Sequence, residues 1–234
     1  MNLEKKQLMN SMGEKIKNNY KDMLERIEVS PKANYENYVD IFVYLYWNVF
    51  NLHKNELDFI KLEDYIFISD EELTPLLYAV LAEKGFFPSE ELCNFARLGS
   101  FLQYLPNVKT TPGINIPLIS SVSEFVIASS FAQSMHEKGS SSKVYCVLNN
   151  RENTKRIFDE IKRISSIGLS NIVLIVISSK ADTNRIKEDE ELLSLVENLN
   201  WEVSISDNSN LESLESAFVT TSKERSKFVL IKVF

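Results

Sequence analysis

The chain is short of glycine, histidine and cysteine: its 234 residues hold six, two and two of them. So few glycines leave little material for a turn that brings backbone close to a ligand. With only His53 and His136 available, a histidine cluster for metal or proton transfer is excluded. Neither Cys93 nor Cys146 belongs to a CxxC pair, so no zinc or redox motif is present. Cys146 lies inside the apolar run VYCVL and is predicted to be a buried core thiol. Excess positive charge is missing too. The net charge is -7, the reverse of what a general nucleic-acid binder carries. Local basic pairs, Lys15 with Lys17 and Lys155 with Arg156, are diluted by acids and read as solvated helix faces. No apolar run approaches the ~20 residues that span a bilayer. The N-terminal MNLEKKQLMNSMGEK is too polar for a signal peptide, so the expected location is the cytoplasm.

What is present is a soluble-protein composition, 44% hydrophobic and 25% charged, with enough length to bury a core. Residues 3 to 28 read as a helix whose stripe is Leu8, Met12, Ile16, Tyr20, Met23 and Ile27. Pro31 ends it. The aromatic segment YENYVDIFVYLYWNVF is long enough to be a buried helix, in the core or at a subunit interface rather than a stacking platform for nucleic acid. DYIFIS reads as a short strand, with Ser69 and Asp70 as caps for the helix LTPLLYAVLAEKG and Gly85 as its stop. SEELCNFARLG reads as a further helix. Residues 103 to 119 read as a long irregular loop, uncommon unless functional. Residues 120 to 139 read as a helix with small residues on one face.

From KVYCVL onward, strands and helices alternate: NIVLIVIS, WEVSIS and KFVLIKVF are strands, separated by amphipathic helices. This pattern predicts α/β architecture, a mainly parallel sheet with helices on both faces. Ligands of such sheets bind outside the carboxyl ends of the strands, here near Asn149–Arg151, Ser178–Lys180 and Asp207.

One stretch carries a resemblance. Ser69, Pro75, Leu77, Tyr78, Ala79, AEKGFFP, Gly99, Ser100, Leu102, Gln103, Pro106, Thr111, Pro112 and Gly113 follow the order of a pattern seen in transketolases. Asp40 and Ile41 upstream match, as do Glu152, Glu160, Leu169 and Asn171 downstream. The chain from about residue 10 to 234 thus resembles the N-terminal, diphosphate-binding domain of that family. The resemblance implies one domain over 1–234, with a helical portion at 1–62, an α/β core at 63–234 and no C-terminal transketolase domains. It implies the thiamine diphosphate-binding fold and, with it, thiamine diphosphate and magnesium as cofactors.

The positions that would hold them have changed. Where the family carries histidines, this chain has Pro31 and its neighbours, Glu72 and Leu105. The motif's lysine and glycine become Asp70 and Glu71. The glycine-rich turn corresponds to residues 119–124, where Val122 adds bulk and Glu124 a negative charge. The metal-binding aspartate and its flanking glycine correspond to Asn150 and Arg151, and the later asparagine to Ser179. Magnesium prefers carboxylate oxygens bridging to phosphate. Asn150 and Ser179 offer only neutral ones, so no cofactor and no metal is expected.

The resemblance therefore implies a non-catalytic subunit, a scaffold or regulator in a homodimer or in a hetero-oligomer with a transketolase-like chain. An alternative is one half of a split transferase of two-carbon units, completed by a separate C-terminal chain. A weaker one is an anion or sugar-phosphate module centred on Arg151 at a helix start. In the commoner reading of Arg151, it fills the vacated pocket and pairs with Glu124 or Glu72. Glu71, Glu72 and Glu152 are acid–base candidates. Ser120, Ser121 and Ser123 lack a histidine base.

Overall fold

The computed structural model describes residues 2–28, 35–54, 60–116, 123–149, 154–179, 183–208, 211–219 and 225–233. Its contacts divide the chain into two compact units. The first comprises Met1–Glu63, Glu71–Leu118 and Asn210–Glu212; the second comprises Asp64–Asp70, Ile119–Ser209 and Ser213–Phe234.

The first unit is built on α1 (Leu3–Arg26), capped by the Asn2 side chain, which accepts from the Lys5 amide at 2.8 Å. Its buried stripe is Met9, Gly13, Ile16, Tyr20 and Met23. The expected Leu8 is exposed instead. Gly13 explains the shift: a Cβ there would meet Asp40 Oδ1 at 3.3 Å and Val39 Cγ1 at 3.7 Å. The bare backbone lets the next helix approach, and the stripe turns to follow it. That helix is continuous but mixed: a 3-10 turn (Tyr35–Tyr38), α2 (Val39–Tyr44), then a π-helical turn (Leu45–Val49). Its aromatic run is core, with Tyr38, Phe42, Tyr44 and Tyr46 buried. A small antiparallel pair follows, β1 (Leu52–Lys54) with β2 (Ile60–Leu62).

α3 (Thr74–Lys84) carries Pro75 in its first turn and stops at Gly85, whose φ of 93° is left-handed. No side chain caps it; a 3-10 turn (Glu71–Leu73) precedes it, so Ser69 and Asp70 are not its caps. The expected helix at 89–99 is likewise only a 3-10 turn, Ser89–Asn94. Phe95 then leaves the helical region, and Ala96 takes a φ of 59° so that its amide reaches Leu102 O at 2.8 Å.

The loop beyond is tied by the residues that carry the family pattern. Tyr78 hydroxyl donates to Gln103 O at 2.6 Å, and Gln103 Nε2 donates to Arg97 O and Ser100 O. Ser100 Oγ accepts from the Leu102 amide, and Thr111 Oγ1 donates to Phe101 O at 2.9 Å. Gly113, at φ 86°, lies so close to α3 and its C-terminal turn that a Cβ would fall 2.6 Å from Leu81 Cδ2 and 2.9 Å from the Phe86 ring.

The second unit is a five-stranded sheet in the order β3-β4-β5-β7-β6, with every pairing parallel. Its strands are β3 (Tyr65–Ile68), β4 (Val144–Leu148), β5 (Ile172–Ser179), β6 (Glu202–Asp207) and β7 (Lys227–Val233). One row of paired residues runs Phe67, Cys146, Leu174, Phe228 and Val203, apolar throughout. The helices are α4 (Ser123–Glu137), α5 (Thr154–Ile167), α6 (Thr183–Asn198) and α7 (Leu211–Phe218). Strand order advances through β4 and β5 to β6, then steps back to β7. Right-handed crossovers therefore place α7 on the face opposite α5 and α6.

Small side chains on α4, among them Ala128, Ser129 and Ala132, are wholly buried. Ser129 Oγ bonds the buried Glu160 of α5, whose carboxylate also accepts from Arg163 Nε at 2.8 Å. Asn171 Nδ2 donates to Ala132 O at 2.8 Å. At the amino end of the sheet the buried Lys227 pairs with the buried Glu202 at 3.0 Å and donates to Val219 O at 2.8 Å.

Gly113→Ala is expected to destabilise the chain by about 2 kcal/mol, from overpacking and a strained backbone. The measurement is the urea midpoint; an unchanged midpoint contradicts the close approach.

Candidate functional site

Parallel strands bring their carboxyl ends to one edge of the sheet, so the chemistry of the second unit is sought there. Ser69 and Asp70 follow the end of β3, and Asn149 follows the end of β4. The Asn149 amide donates to Ser69 Oγ at 3.2 Å, and its carboxamide Nδ2 donates to Asp70 Oδ2 at 2.6 Å. The two residues expected to cap α3 thus clamp the ends of two neighbouring strands. At the far side, Ser213 Oγ accepts from the Asp207 amide at 3.3 Å and lies 2.9 Å from Ser206 Oγ.

α4 begins with a carboxylate in its first turn, and Glu124 is 0% exposed. A negative group near a helix N-terminus is favoured by the helix dipole. Its charge reaches the sheet. Burial first, and then the Glu124 carboxylate, push the Cys146 thiol well above its ordinary range. Cys146 is therefore a protonated core thiol, as its apolar run predicts.

Of the substituted family positions, Pro31, Val122, Asn150 and Arg151 lie outside the described residues, as does the side chain of Ser179. Glu152, Ser120, Ser121 and the side chain of Ser123 lie outside them as well. Neither the Arg151 anion site nor its pairing has a described geometry. His136 is exposed in the last turn of α4, and the backbone of His53 lies in β1.

The remaining two positions come together. Glu72 and Leu105 line one cavity of ≈ 390 Å³ in the first unit. Glu71 lies beside Glu72 in the 3-10 turn before α3 and Pro75 in the first turn of α3, while Leu24 comes from the last turn of α1 and Ile27 is its C-cap. Tyr104 adds a ring, packed on Phe95 with centroids 5.1 Å apart. Tyr35 hydroxyl donates to Glu72 Oε2 at 3.3 Å. Burial, followed by the charges of Glu36 and Glu72, raises the Tyr20 phenol above its ordinary range. Leu24 and Tyr104 were not legible as site residues. Leu24 falls off the expected stripe, and Tyr104 stands in a loop with no periodic signal.

Among the described residues no group of three or more His, Cys, Asp or Glu is placed to hold a metal ion. None of the described helices is long and apolar enough to cross a membrane.

No family model and no curated protein sequence matches the chain. Solved structures do. A transketolase from Leishmania mexicana superposes with a TM-score of 0.74 at 14% identity, covering 96% of this chain and 36% of that one. A Pichia stipitis transketolase in complex with sedoheptulose 7-phosphate gives 0.73 at 15% identity, and a mutant of it in complex with xylulose 5-phosphate gives 0.73 at 14%, with the same coverage. The fold is thus that of a transketolase N-terminal-type α/β domain, and the chain spans about a third of the transketolases it matches.

The thiols provide a check on the core. Cys93 is exposed and Cys146 buried. A disulfide reagent is expected to label Cys93 within minutes and Cys146 only after denaturant is added. Rapid modification of Cys146 in the native protein would contradict its burial.

Proposed function

We propose that this chain is a transketolase-fold subunit without thiamine diphosphate chemistry of its own, acting as a scaffold or regulator in an oligomer. The observation that carries this reading is the lining of the cavity by Glu72 and Leu105. These are positions where the resemblance implies imidazoles. Leu105 moves no proton. Glu72 brings a carboxylate in place of a group that titrates near neutrality.

The buried Glu124 supports the same reading. The resemblance puts a diphosphate near the start of α4, and a buried carboxylate there repels one. Asn149, beside the implied metal position, already commits its carboxamide to Asp70. These residues do not fit a diphosphate with its magnesium ion.

The oligomer is supported by the loop that follows the 3-10 turn at 89–94. Leu98 and Val108, which do not line the cavity, are exposed on it. Large apolar side chains left exposed on one loop are available to pack against another chain.

Titration calorimetry with thiamine diphosphate and magnesium is expected to give no binding heat. Micromolar binding would overturn the proposal and favour an enzyme half completed by another chain. Light scattering is expected to give a mass near a multiple of the 26.9 kDa chain, alone or mixed with a transketolase-like chain. The pair Leu98→Glu and Val108→Glu is expected to return it to the monomer. A monomeric mass for the unaltered chain in both settings would remove the oligomer.

A further inference from the structure

The cavity of the first unit has more to it than lost histidines. Its ≈ 390 Å³ lies within the range of small-molecule sites. Leu24, Ile27, Pro75 and Leu105 give it aliphatic walls, so a ligand's apolar body would displace water from them. Tyr104 presents an aromatic ring that is half-exposed and braced against Phe95.

All of the formal charge in the described lining is negative and comes from Glu71 and Glu72. Tyr35 orients the Glu72 carboxylate by donating to Oε2. The rise of the Tyr20 phenol has burial as its first cause and the Glu36 and Glu72 charges as the next, so the negative field extends beyond the cavity wall. Glu36 itself is paired with Lys21 at 3.0 Å.

We infer that this cavity binds a small organic cation, an ammonium group carried on a short aliphatic body. The ammonium donates charge-assisted hydrogen bonds to the Glu71 and Glu72 carboxylates. The Tyr104 ring offers it a cation–π face. The aliphatic part fills the space between Leu24, Ile27, Pro75 and Leu105. A carboxylate on the same body would meet two like charges, and an alcohol would forgo the charged bonds. The inference stands on the cavity alone and goes beyond the subunit role proposed above. Thiamine diphosphate binding, or its absence, leaves it untouched.

The test titrates hexylammonium chloride, hexanol and sodium hexanoate into the full chain, with ligand-observed saturation-transfer NMR and thermal unfolding as readouts. Hexylammonium is expected to bind in the millimolar range or tighter, hexanol more weakly and hexanoate not at all. Glu72→Gln is expected to weaken hexylammonium binding about tenfold, the size of one charge-assisted hydrogen bond, and to leave hexanol binding unchanged. Glu71→Gln, at an exposed position, is expected to weaken it to a smaller degree. The inference is overturned if hexylammonium does not bind, if the other two ligands bind as tightly, or if both carboxamide variants bind it unchanged. Should Glu72→Gln fail to fold, the three-ligand comparison on the unaltered chain and Glu71→Gln still decide.

Discussion

β4, β5 and β7 each have a parallel neighbour on either side, and their residues are buried on both faces almost without exception. A strand in that setting has no solvent side, so nearly every position along it must be apolar. The remaining features of the second unit follow. α4 must bring small residues so that it can lie close, and Glu160 and Arg163 must satisfy each other and Ser129 where α4 meets α5. The polar groups are driven to the two ends of the sheet. Lys227 with Glu202 holds the amino end, and Asp70, Asn149 and Ser69 hold the carboxyl end. Replacing one member of the buried ion pair would strand the other charge, which costs far more than the pair contributes.

The same two-sided burial made this half of the fold readable from sequence. VYCVL, NIVLIVIS and KFVLIKVF each hold an apolar run of four or more residues, and each contains most or all of a strand of the parallel sheet. The first unit was less readable, because its contacts override local pattern. Gly13 admits Val39 and Asp40 against α1 and turns the buried stripe from Leu8 to Met9. Ser69 and Asp70 had the chemistry of caps, but an extra 3-10 turn separates them from α3 and frees them to bind Asn149. The helical pattern at 89–99 yields to Ala96, whose amide is claimed by Leu102 O.

The site was legible only where the resemblance supplied positions. Glu72 and Leu105 were singled out as substitutions, and the cavity joins them. Its other walls come from α1 and from a loop, segments distant in sequence with no shared motif, so no local signal could assemble them. The residues that carried the resemblance prove to be builders of the scaffold. Tyr78, Ser100, Gln103 and Thr111 spend their polar groups on loop backbone, and Gly85, Gly99 and Gly113 take left-handed φ. Five of the six glycines have positive φ, and the sixth, Gly13, serves helix packing.

The strand order has a consequence for how the molecule is made. β7 lies between β5 and β6, although it follows both in the sequence. A nascent chain that has emerged from the ribosome through Asp207 can pair β3, β4 and β5. Among the described residues β6 pairs with β7 alone, so β6 must wait for it. Until Lys227–Val233 appears, the open edge of β5 is a long apolar strand without a partner, the kind of edge that recruits other chains. Chaperone cover, or slow translation over the last twenty or so residues of this sheet, would matter most in that interval.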